Sequence, residues 1–288
     1  MKPAEFDYTR PADLNAVLAL LAEGVDTRIL AGGQSLVPMM NLRLARPGRL
    51  IDINRLQGLD HIRLDGGHLV IGALARHADV MAAPLVARHA PLMHAAYEWV
   101  AHAAVRNRGT LCGNLCHADP ASEMPAVMLA CEATLVARSR SGERRISAAD
   151  FFIGPFTTAL RSDEMLVEVR VPVRATAEGH GFHEVSQRRG DFAWASVAVL
   201  MRCVGDRVQH VAIAVAGVDT CALRLHGVEA ALIGAVADAA AFERAGAAAA
   251  AAVNPPNDVM TPAAYRRDLV RALVPRALAD AALNRSAA

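Results

Sequence analysis

The sequence lacks an excess of charge of either sign, and it lacks a long apolar run. Its 288 residues carry 30 Lys and Arg against 29 Asp and Glu, for a net charge of +1. A nucleic-acid-binding surface needs a basic excess, so this balance argues against a nucleic-acid partner. A membrane-spanning helix needs roughly 18 or more apolar residues without charges, and the sequence has no such run. We therefore expect no membrane span.

Several motifs of catalysis and cofactor binding are also missing. No GxGxxG opens a strand–helix unit, and there is no GxxxxGK[ST] and no GxSxG. Their absence argues against a Rossmann dinucleotide site, a P-loop and a serine nucleophile elbow. No Cys–His pair stands in a recognisable nucleophilic setting. We therefore predict no catalytic residue in this chain.

Cysteines are few and do not form paired clusters. The sequence has five cysteines, an odd number that indicates free thiols. The N-terminus has no apolar signal segment, so we expect a cytoplasmic location. Cys112, Cys116 and His117 are close in sequence. Zinc and iron–sulfur sites need about four ligands, usually in two spaced pairs. Without a second cluster, we predict no metal site.

The first feature that is present is a short loop, Ala31-Gly32-Gly33-Gln34-Ser35, between an apolar run and a helical pattern. A strand followed by two glycines and a hydroxyl residue makes a turn whose backbone amides point outward. With Ser35 as the N-cap, this turn suits a phosphate at the start of a helix. Such turns are common, so the pattern alone leaves an ordinary turn open.

A second polar, glycine-containing stretch covers residues 105–123. Its composition and lack of periodicity predict a loop, and connections longer than roughly 12–15 residues are usually functional or disordered. Amides and hydroxyls in this loop could hold a phosphate without lysine. A surface loop whose glycines only make turns is the alternative.

A third feature is the sequence RRGDFAW at residues 188–194, just before a predicted strand. An aromatic side chain there could stack on a planar ring, and an arginine could face a ring edge or a carbonyl. The alternative is a charged turn with Phe192 or Trp194 in the core, and the pattern alone favours it.

The order of apolar patterns predicts three units. Residues 1–56 read as strand, helix and strand, which implies a small parallel or mixed sheet. Residues 57–177 contain paired strands, helical patterns and the long loop, followed by further strands. Residues 178–288 contain three antiparallel strands and then three helices.

Two turns suited to phosphate, in different units, imply one diphosphate between them, with aromatic residues of the third unit near the far end of the ligand. This points to a dinucleotide with a flat ring, such as FAD, in a fold that is not Rossmann.

Residues 31–40, 105–114 and 117–123 together resemble a known family. They are similar to the FAD-binding medium subunit of molybdenum hydroxylases, the family of xanthine dehydrogenase, carbon monoxide dehydrogenase and quinoline oxidoreductase. The resemblance covers nearly the whole chain. It implies an α+β fold: two FAD-binding subdomains of the vanillyl-alcohol-oxidase (PCMH) type, followed by a C-terminal three-stranded antiparallel sheet with helices.

The resemblance also implies which residues hold FAD. Both loops would bind the diphosphate, Glu123 stands where relatives have an acid that contacts FAD, and Phe192 stands where an aromatic lies against the isoalloxazine. The predicted set is Ala31, Gly32, Gly33, Gln34, Ser35, Val100, Gly109, Thr110, Cys112, Gly113, Asn114, Ala118, Asp119, Glu123, Leu166, Arg189, Asp191 and Phe192.

Three of these positions depart from the family's usual pattern. Cys112 stands where relatives usually have the first glycine of a pair, and Gln34 replaces a frequent His or Asn. Phe192 lacks the hydroxyl of the commoner Tyr, so it can stack without hydrogen bonding. No His or Cys position is equivalent to a covalent flavin attachment point.

The family resemblance further implies partners. A large subunit would carry the molybdenum cofactor and hydroxylate the substrate, and a small subunit would carry two [2Fe–2S] clusters, in a dimer of heterotrimers. FAD on this chain would pass electrons to NAD, oxygen, a quinone or another carrier. One alternative is a stand-alone FAD-dependent reductase or oxidase of the same cofactor fold. Another is an assembly protein that has lost FAD, against which the intact glycines of both loops argue.

Overall fold

The computed structural model describes residues 1–173, 178–259 and 261–284. Its first elements are β1 (Asp7–Thr9), α1 (Leu14–Leu21), β2 (Thr27–Leu30), α2 (Leu36–Asn41) and β3 (Arg49–Asp52). The three strands are parallel, in the order β1-β3-β2. Parallel pairing brings the ends of β2 and β3 to one edge of the sheet, and the glycine loop leaves β2 at that edge.

The middle of the chain forms a five-stranded antiparallel sheet in the order β4-β5-β10-β6-β7, with helices and a two-stranded ribbon (β8, β9) inserted between its strands. Its elements are β4 (Ile62–Asp65), β5 (His68–Gly72), α3 (His77–Ala82), α4 (Pro84–His89), α5 (Pro91–Tyr97), α6 (Ala103–Arg106), α7 (Leu111–His117), α8 (Glu123–Ala130), β6 (Thr134–Ser139), β7 (Gly142–Ser147), α9 (Ala148–Phe151), β8 (Phe152–Gly154), β9 (Thr157–Thr158) and β10 (Met165–Pro172).

The remaining elements are β11 (Gly179–Ser186), β12 (Ala193–Val204), β13 (Arg207–Ala216), β14 (Leu223–Arg224), α10 (His226–Leu232), α11 (Ala239–Ala252) and α12 (Ala263–Leu283). The strands form an antiparallel sheet in chain order. The predicted three-stranded sheet therefore gains a fourth strand, β14, which is only two residues long and too short to leave a pattern in the sequence.

The prediction of an unbroken loop over residues 105–123 is wrong. The end of α6 and the whole of α7 lie inside this range. Helix α7 begins because the Thr110 hydroxyl accepts a hydrogen bond from the Gly113 amide at 3.1 Å. It ends at Ala118, which has a left-handed φ of 49°. A seven-residue helix that contains a glycine and an asparagine shows no usable periodicity, so the sequence pattern concealed it.

The apolar core has two parts, which meet at the C-terminal sheet. One cluster runs through the N-terminal and middle sheets and includes Leu18, Ile51 and Leu69. The other lies between the C-terminal sheet and helices α10 to α12. Since the first cluster is continuous across residue 56, the division at that position stays a prediction. The predicted boundary after residue 177 falls on residues outside the described ranges.

Candidate functional site

Two loops from different sheets meet at Gly32. A Cβ on Gly32 would stand 2.6 Å from the Cα of Gly109 and would also overlap the carbonyl oxygen of Arg108. Real Cβ atoms do not approach a backbone this closely, so the contact requires glycine. The two stretches that the sequence suggests for a diphosphate are therefore neighbours.

The first loop exposes its backbone. Gly33 has a left-handed φ of 71°, which turns the chain between β2 and α2. Within the described ranges, the consecutive amides of residues 32–35 donate no hydrogen bond. Gln34 folds its side-chain amide back onto the Gly32 carbonyl oxygen at 3.1 Å. Ser35 stands at the predicted N-cap position, but its side chain makes no capping bond. A row of free amides is a site at which phosphate oxygens can be bound.

The second loop, residues 109–114, is fixed on its buried side by contacts with His77. The amide of His77 donates to the Gly109 carbonyl oxygen at 3.0 Å, and the His77 ring lies against Gly109. Thr110 is buried, and its hydroxyl is engaged by the amide of Gly113. Gly113 itself is exposed, and a Cβ there would stand 2.7 Å from Thr110 Oγ1. The exposed side of this loop therefore has no side chain at Gly113, but the amides of Gly109, Gly113 and Asn114 already donate within the chain.

Two residues that the sequence patterns did not single out tie the loops together. The Arg76 guanidinium donates to Asn54 Oδ1 at 2.7 Å and to the Arg108 carbonyl oxygen at 2.6 Å. Asn54 in turn donates to the carbonyl oxygen of Ala31 at 2.8 Å and to Asp52 at 2.7 Å. Burial lowers the pKa of Arg76, and the neighbouring Arg108 adds to this effect. A single Arg or Asn at the end of an element belongs to no recognisable sequence motif, so only the tertiary contacts show that Arg76 and Asn54 connect the two loops.

The side chains of the next predicted residues lie inside the fold. Cys112 is buried against β5, with its thiol 4.0 Å from the Ile71 carbonyl oxygen, and burial raises its pKa well above the usual value. The thiol therefore points away from the exposed side of the loop. Asn114 exchanges hydrogen bonds with the Ser122 hydroxyl at 2.8 and 3.1 Å. Ala118 is buried at the end of α7. For Cys112 and Ala118, any contact with FAD is restricted to the backbone.

Two carboxylates stand at the start of α8. Asp119 accepts a hydrogen bond from the Ala121 amide at 2.9 Å and lies 3.9 Å from His117. Glu123 is buried and lies 3.5 Å from the Ser122 hydroxyl. Burial raises the pKa of Glu123 well above its usual range, and the charge of Asp119 raises it further. The Glu123 carboxyl therefore holds its proton more strongly than an exposed glutamate does.

The two predicted apolar contacts, Val100 and Leu166, are core residues. Both side chains are buried in the first apolar cluster. The carbonyl oxygen of Val100 accepts a hydrogen bond from Arg106 at 2.9 Å. Leu166 lies beside a register shift between β10 and β6. Contact of either residue with FAD stays a prediction.

The turn between β11 and β12 is anchored to the segment that follows α5. Arg189 pairs with Glu98 at 2.6 Å and places its guanidinium 5.4 Å from the centre of the Trp99 ring. Gly190 has a φ of 91°, and a Cβ there would stand 2.6 Å from the ring of His102. Glycine is therefore required for this close approach.

The same turn leaves its aromatic residue free. Asp191 accepts a hydrogen bond from Arg188 at 3.0 Å, which closes the turn. Phe192 is 56% exposed, so the alternative that buries this ring in the core does not apply. Trp194 is half-buried and packs edge-on against Tyr265, with ring centres 6.0 Å apart. Phe192 is thus an apolar ring available to a ligand.

The segment after α7 joins the C-terminal sheet to the two loops. The amide of Ala193 donates to the Ala121 carbonyl oxygen at 3.2 Å, and the amide of Gly217 donates to the Pro120 carbonyl oxygen at 2.7 Å. These bonds attach the strand that follows Phe192 to the segment between α7 and α8, and the Gly32–Gly109 contact joins the two loops. The free amides and the exposed ring fit a ligand with a diphosphate and an aromatic ring.

Comparison with family models matches the chain in two segments. Residues 4–174 match the FAD-binding domain in molybdopterin dehydrogenase, and residues 180–281 match the C-terminal domain of CO dehydrogenase flavoprotein. The two matches together span most of the chain.

Individual relatives give the same result. The caffeine dehydrogenase subunit beta of Pseudomonas sp. (strain CBB1) is 43% identical over 236 residues, which is 81% of this chain and 80% of the relative. The structure of carbon monoxide dehydrogenase from Hydrogenophaga pseudoflava superimposes with a TM-score of 0.96 at 40% identity, covering 100% of both chains. Quinoline 2-oxidoreductase from Pseudomonas putida 86 gives a TM-score of 0.95 at 35% identity, also covering 100% of both chains. The predicted α+β fold is confirmed.

Within the described ranges, no helix has both the length and the apolar character needed to cross a membrane.

Proposed function

This chain belongs to the family of FAD-binding subunits of molybdopterin dehydrogenases, and from that premise we propose how it holds FAD and which subunits it serves. It is a flavoprotein electron-transfer subunit of a molybdenum hydroxylase, an oxidoreductase complex. We propose that the FAD diphosphate lies between the loop of residues 31–35 and the loop of residues 109–114. The contact of Gly32 with Gly109 carries this proposal, because it brings the two loops together.

The first loop provides amides from Gly32 to Ser35, which donate to no described residue. The second provides a surface without a side chain at Gly113, whose amide already donates to Thr110, together with the side chains of Thr110 and Asn114. Phosphate oxygens accept hydrogen bonds from such groups without a lysine. Arg76 donates to Asn54, which is bonded to the first loop, and to the carbonyl oxygen of Arg108, next to the second loop. These bonds hold the two loops in a fixed relative position.

The flavin ring is proposed to lie towards the turn of residues 188–192. Phe192 offers an exposed face for stacking, and Arg189 and Asp191 hold the turn in place. Glu123 is proposed to contact FAD from the start of α8, where the carbonyl oxygen of Ala121, two residues earlier, accepts a hydrogen bond from the first residue of β12. Val100, Leu166, Cys112, Ala118 and Asp119 complete the proposed surroundings of FAD.

Bound FAD supplies the redox chemistry, accepting electrons from [2Fe–2S] clusters of a partner subunit and passing them to an external acceptor. The residues of this chain bind and orient it and shield it from water. The proposed partners are a large molybdenum-cofactor subunit and a small iron–sulfur subunit, in a dimer of heterotrimers. A cytoplasmic location is part of the proposal and is supported by the absence of disulfide bonds among the described residues.

Substrate choice is proposed to belong to the large subunit. The relatives named above are a caffeine dehydrogenase subunit and a carbon monoxide dehydrogenase, and the two are similarly close to this chain in identity. Two such different molecules in the names of near-equal relatives indicate that this type of subunit does not select the substrate.

The experiment is a matched pair of glycine substitutions in the purified complex. Gly33→Asp places a carboxylate among the free amides, where it repels a diphosphate, and we expect it to abolish flavin retention with the complex still assembled. Gly24→Asp is the control, because Gly24 has a similar φ of 73° and nothing lies within 4 Å of its Cβ position. Equal flavin absorbance in the two variants would contradict the diphosphate placement. Flavin turnover by the chain alone, without partners, would favour the stand-alone reductase or oxidase.

A further inference from the structure

The segment that joins α5 to α6, residues 98–102, makes a sharp turn at Ala101. Ala101 has a left-handed φ of 47°, a conformation that residues other than glycine adopt only at a cost in free energy. The segment contains no glycine that could adopt it more easily. A strained conformation of this kind persists only where surrounding contacts hold it. Contacts from elsewhere in the fold must therefore keep the segment in place.

The guanidinium of Arg106, at the end of α6, supplies these contacts. Its Nη1 atom donates to the carbonyl oxygen of Val100 at 2.9 Å and to that of Ala101 at 2.7 Å. Within the described ranges, neither carbonyl oxygen accepts a backbone hydrogen bond. Carbonyl groups without a partner are costly in a folded interior, and Val100 is buried. The two bonds from Arg106 therefore fix the path of the segment.

The Ala101 carbonyl oxygen also contacts the turn between β11 and β12. A Cβ on Gly190 would stand 2.9 Å from this oxygen and 2.6 Å from Nδ1 of His102. The backbone of Gly190 thus packs directly against the carbonyl group that Arg106 holds. Because both groups belong to the backbone, a shift of one cannot be absorbed by a side-chain rotation. A displaced Ala101 carbonyl would therefore displace the turn.

Other contacts between this turn and residues 98–102 lie on both sides of Gly190. The Arg189 guanidinium donates to the carbonyl oxygen of Glu98 at 2.9 Å and to its carboxylate at 2.6 Å. The imidazole of His102 lies 3.8 Å from the carboxylate of Asp191. These contacts extend up to the residue that precedes the exposed phenylalanine ring. The place of that ring therefore depends on the path of residues 98–102.

Arg106 is also close in sequence to the second loop. Helix α6 leads into that loop, and the Gly109 amide donates to the carbonyl oxygen of Val105 at 2.7 Å. The loop of residues 109–114 therefore follows Arg106 directly, whereas the turn of residues 188–192 packs against the segment that Arg106 holds. Arg106 thus connects the two ends of the proposed FAD site.

We propose, resting on the function proposed above, that Arg106 is a positioning residue for the flavin end of FAD. Its guanidinium holds the Ala101 carbonyl group where Gly190 packs against it, and this fixes the place of the Phe192 ring. Arg106 acts through these groups and not by contact with FAD. Its loss lets the turn shift, so the flavin loses a stacking contact while the diphosphate keeps the free amides of residues 32–35.

The test compares two probes on the purified, flavin-depleted complex. FAD occupies both ends of the proposed site, whereas ADP has the diphosphate and the adenosine but no flavin. Arg106→Gln should raise the FAD dissociation constant about tenfold, as expected for the loss of one or two hydrogen bonds, and leave that of ADP unchanged. Fluorescence titration measures FAD binding, and competition with FAD measures ADP binding.

Arg207→Gln is the matched control. Arg207 also donates to a backbone carbonyl oxygen, that of Gly234 at 2.7 Å, but it lies at the start of β13. This variant should bind both probes as the wild type does. Equal FAD dissociation constants in the two variants would overturn the inference, and so would an equal rise for FAD and ADP in Arg106→Gln.

A double-mutant cycle with Phe192→Ala tests the route through the turn with FAD alone. If Arg106 acts by placing this ring, its loss has little further effect once the ring is absent. The double variant should therefore bind FAD within about twofold of Phe192→Ala. Full additivity of the two single effects would overturn the inference.

Gly190→Ala disturbs the same contact from the other side and leaves Arg106 in place. The added Cβ displaces the Ala101 carbonyl group, so this variant should bind FAD more weakly and ADP normally, even if Arg106→Gln does not assemble. Gly67→Ala is its control, since Gly67 has a φ of 76° and nothing lies within 4 Å of its Cβ position. Normal FAD binding in Gly190→Ala would overturn the inference. Failure of the proposed function looks different, because the wild-type complex would then bind neither FAD nor ADP.

Discussion

Gly32 faces the backbone of Gly109 so closely that a Cβ on Gly32 would stand 2.6 Å from the Gly109 Cα. The two residues belong to loops of different sheets, and neither loop makes a diphosphate site alone. Their contact is backbone against backbone, so side-chain rotation cannot relieve any added bulk. FAD retention should therefore depend on the absence of a single methyl group.

Gly32→Ala should separate the loops and lower FAD content. We expect a loss of about 1–3 kcal/mol of folding stability, as for other overpacked sites, and a clear loss of flavin from the purified complex. Gly227→Ala in α10 is the control, because open space surrounds its Cβ position. That variant should hold normal flavin and unfold at the same or a slightly higher temperature. Normal flavin content in Gly32→Ala would contradict the two-loop site.

Arg76→Gln should weaken FAD binding without unfolding the chain. The change removes the charged hydrogen bonds to Asn54 and to the Arg108 carbonyl oxygen, so the loops lose their common support. Loss of such bonds is worth about 1–3 kcal/mol, which corresponds to a rise of roughly fivefold to 150-fold in the FAD dissociation constant. Arg28→Gln, an equal charge change on an exposed side chain, should leave the constant unchanged. Fluorescence titration of the flavin-depleted complex with FAD measures the dissociation constant of each variant. Equal dissociation constants in Arg76→Gln and Arg28→Gln would rule out this role for Arg76.

His77 should make the fold acid-sensitive. It is buried against Gly109 and Tyr97, and burial, with Arg106 adding to it, lowers its pKa to about 4. Between pH 4 and its ordinary pKa of about 6.5, the unfolded chain therefore binds a proton that the folded chain excludes. Stability from this residue is present at neutral pH and falls as the pH falls, by about 2 kcal/mol between pH 7 and pH 5.

Urea unfolding of wild type and His77→Gln at these two pH values measures that contribution. The variant should be less stable at neutral pH, but its loss on acidification should be smaller by the amount given above. His226→Gln, at an exposed histidine, is the control and should follow the wild type. If His77→Gln lost as much unfolding free energy between pH 7 and pH 5 as the wild type, His77 would not be the source of the acid sensitivity.

Much of the fold could be predicted from periodicity and turn residues. The strand Thr27–Leu30, the Asp13 cap and the long strands of the C-terminal sheet agree closely with the structure. These elements are set by local preferences that a short window of sequence contains. Helix α7 and strand β14 were missed because each is too short for a pattern, and tertiary contacts determine their conformation.

The candidate site divides in the same way. The glycines and hydroxyls of both loops were identified from residue type, since bare backbone and small polar groups suit a phosphate wherever they lie. Arg76 and Asn54 were not identified, because a single Arg or Asn at the end of an element is common. The inward direction of the Cys112 thiol was equally invisible in the sequence.

The sequence by itself determined the balanced charge, the two glycine loops and the family to which the chain belongs. Only the tertiary structure decided that Gly32 touches Gly109, that Arg76 bonds both loop supports, and that Arg106 holds the carbonyl group against which Gly190 packs. The physical reason is range. Backbone propensities act over a few residues, whereas burial and hydrogen-bond satisfaction depend on chain segments that meet only after folding.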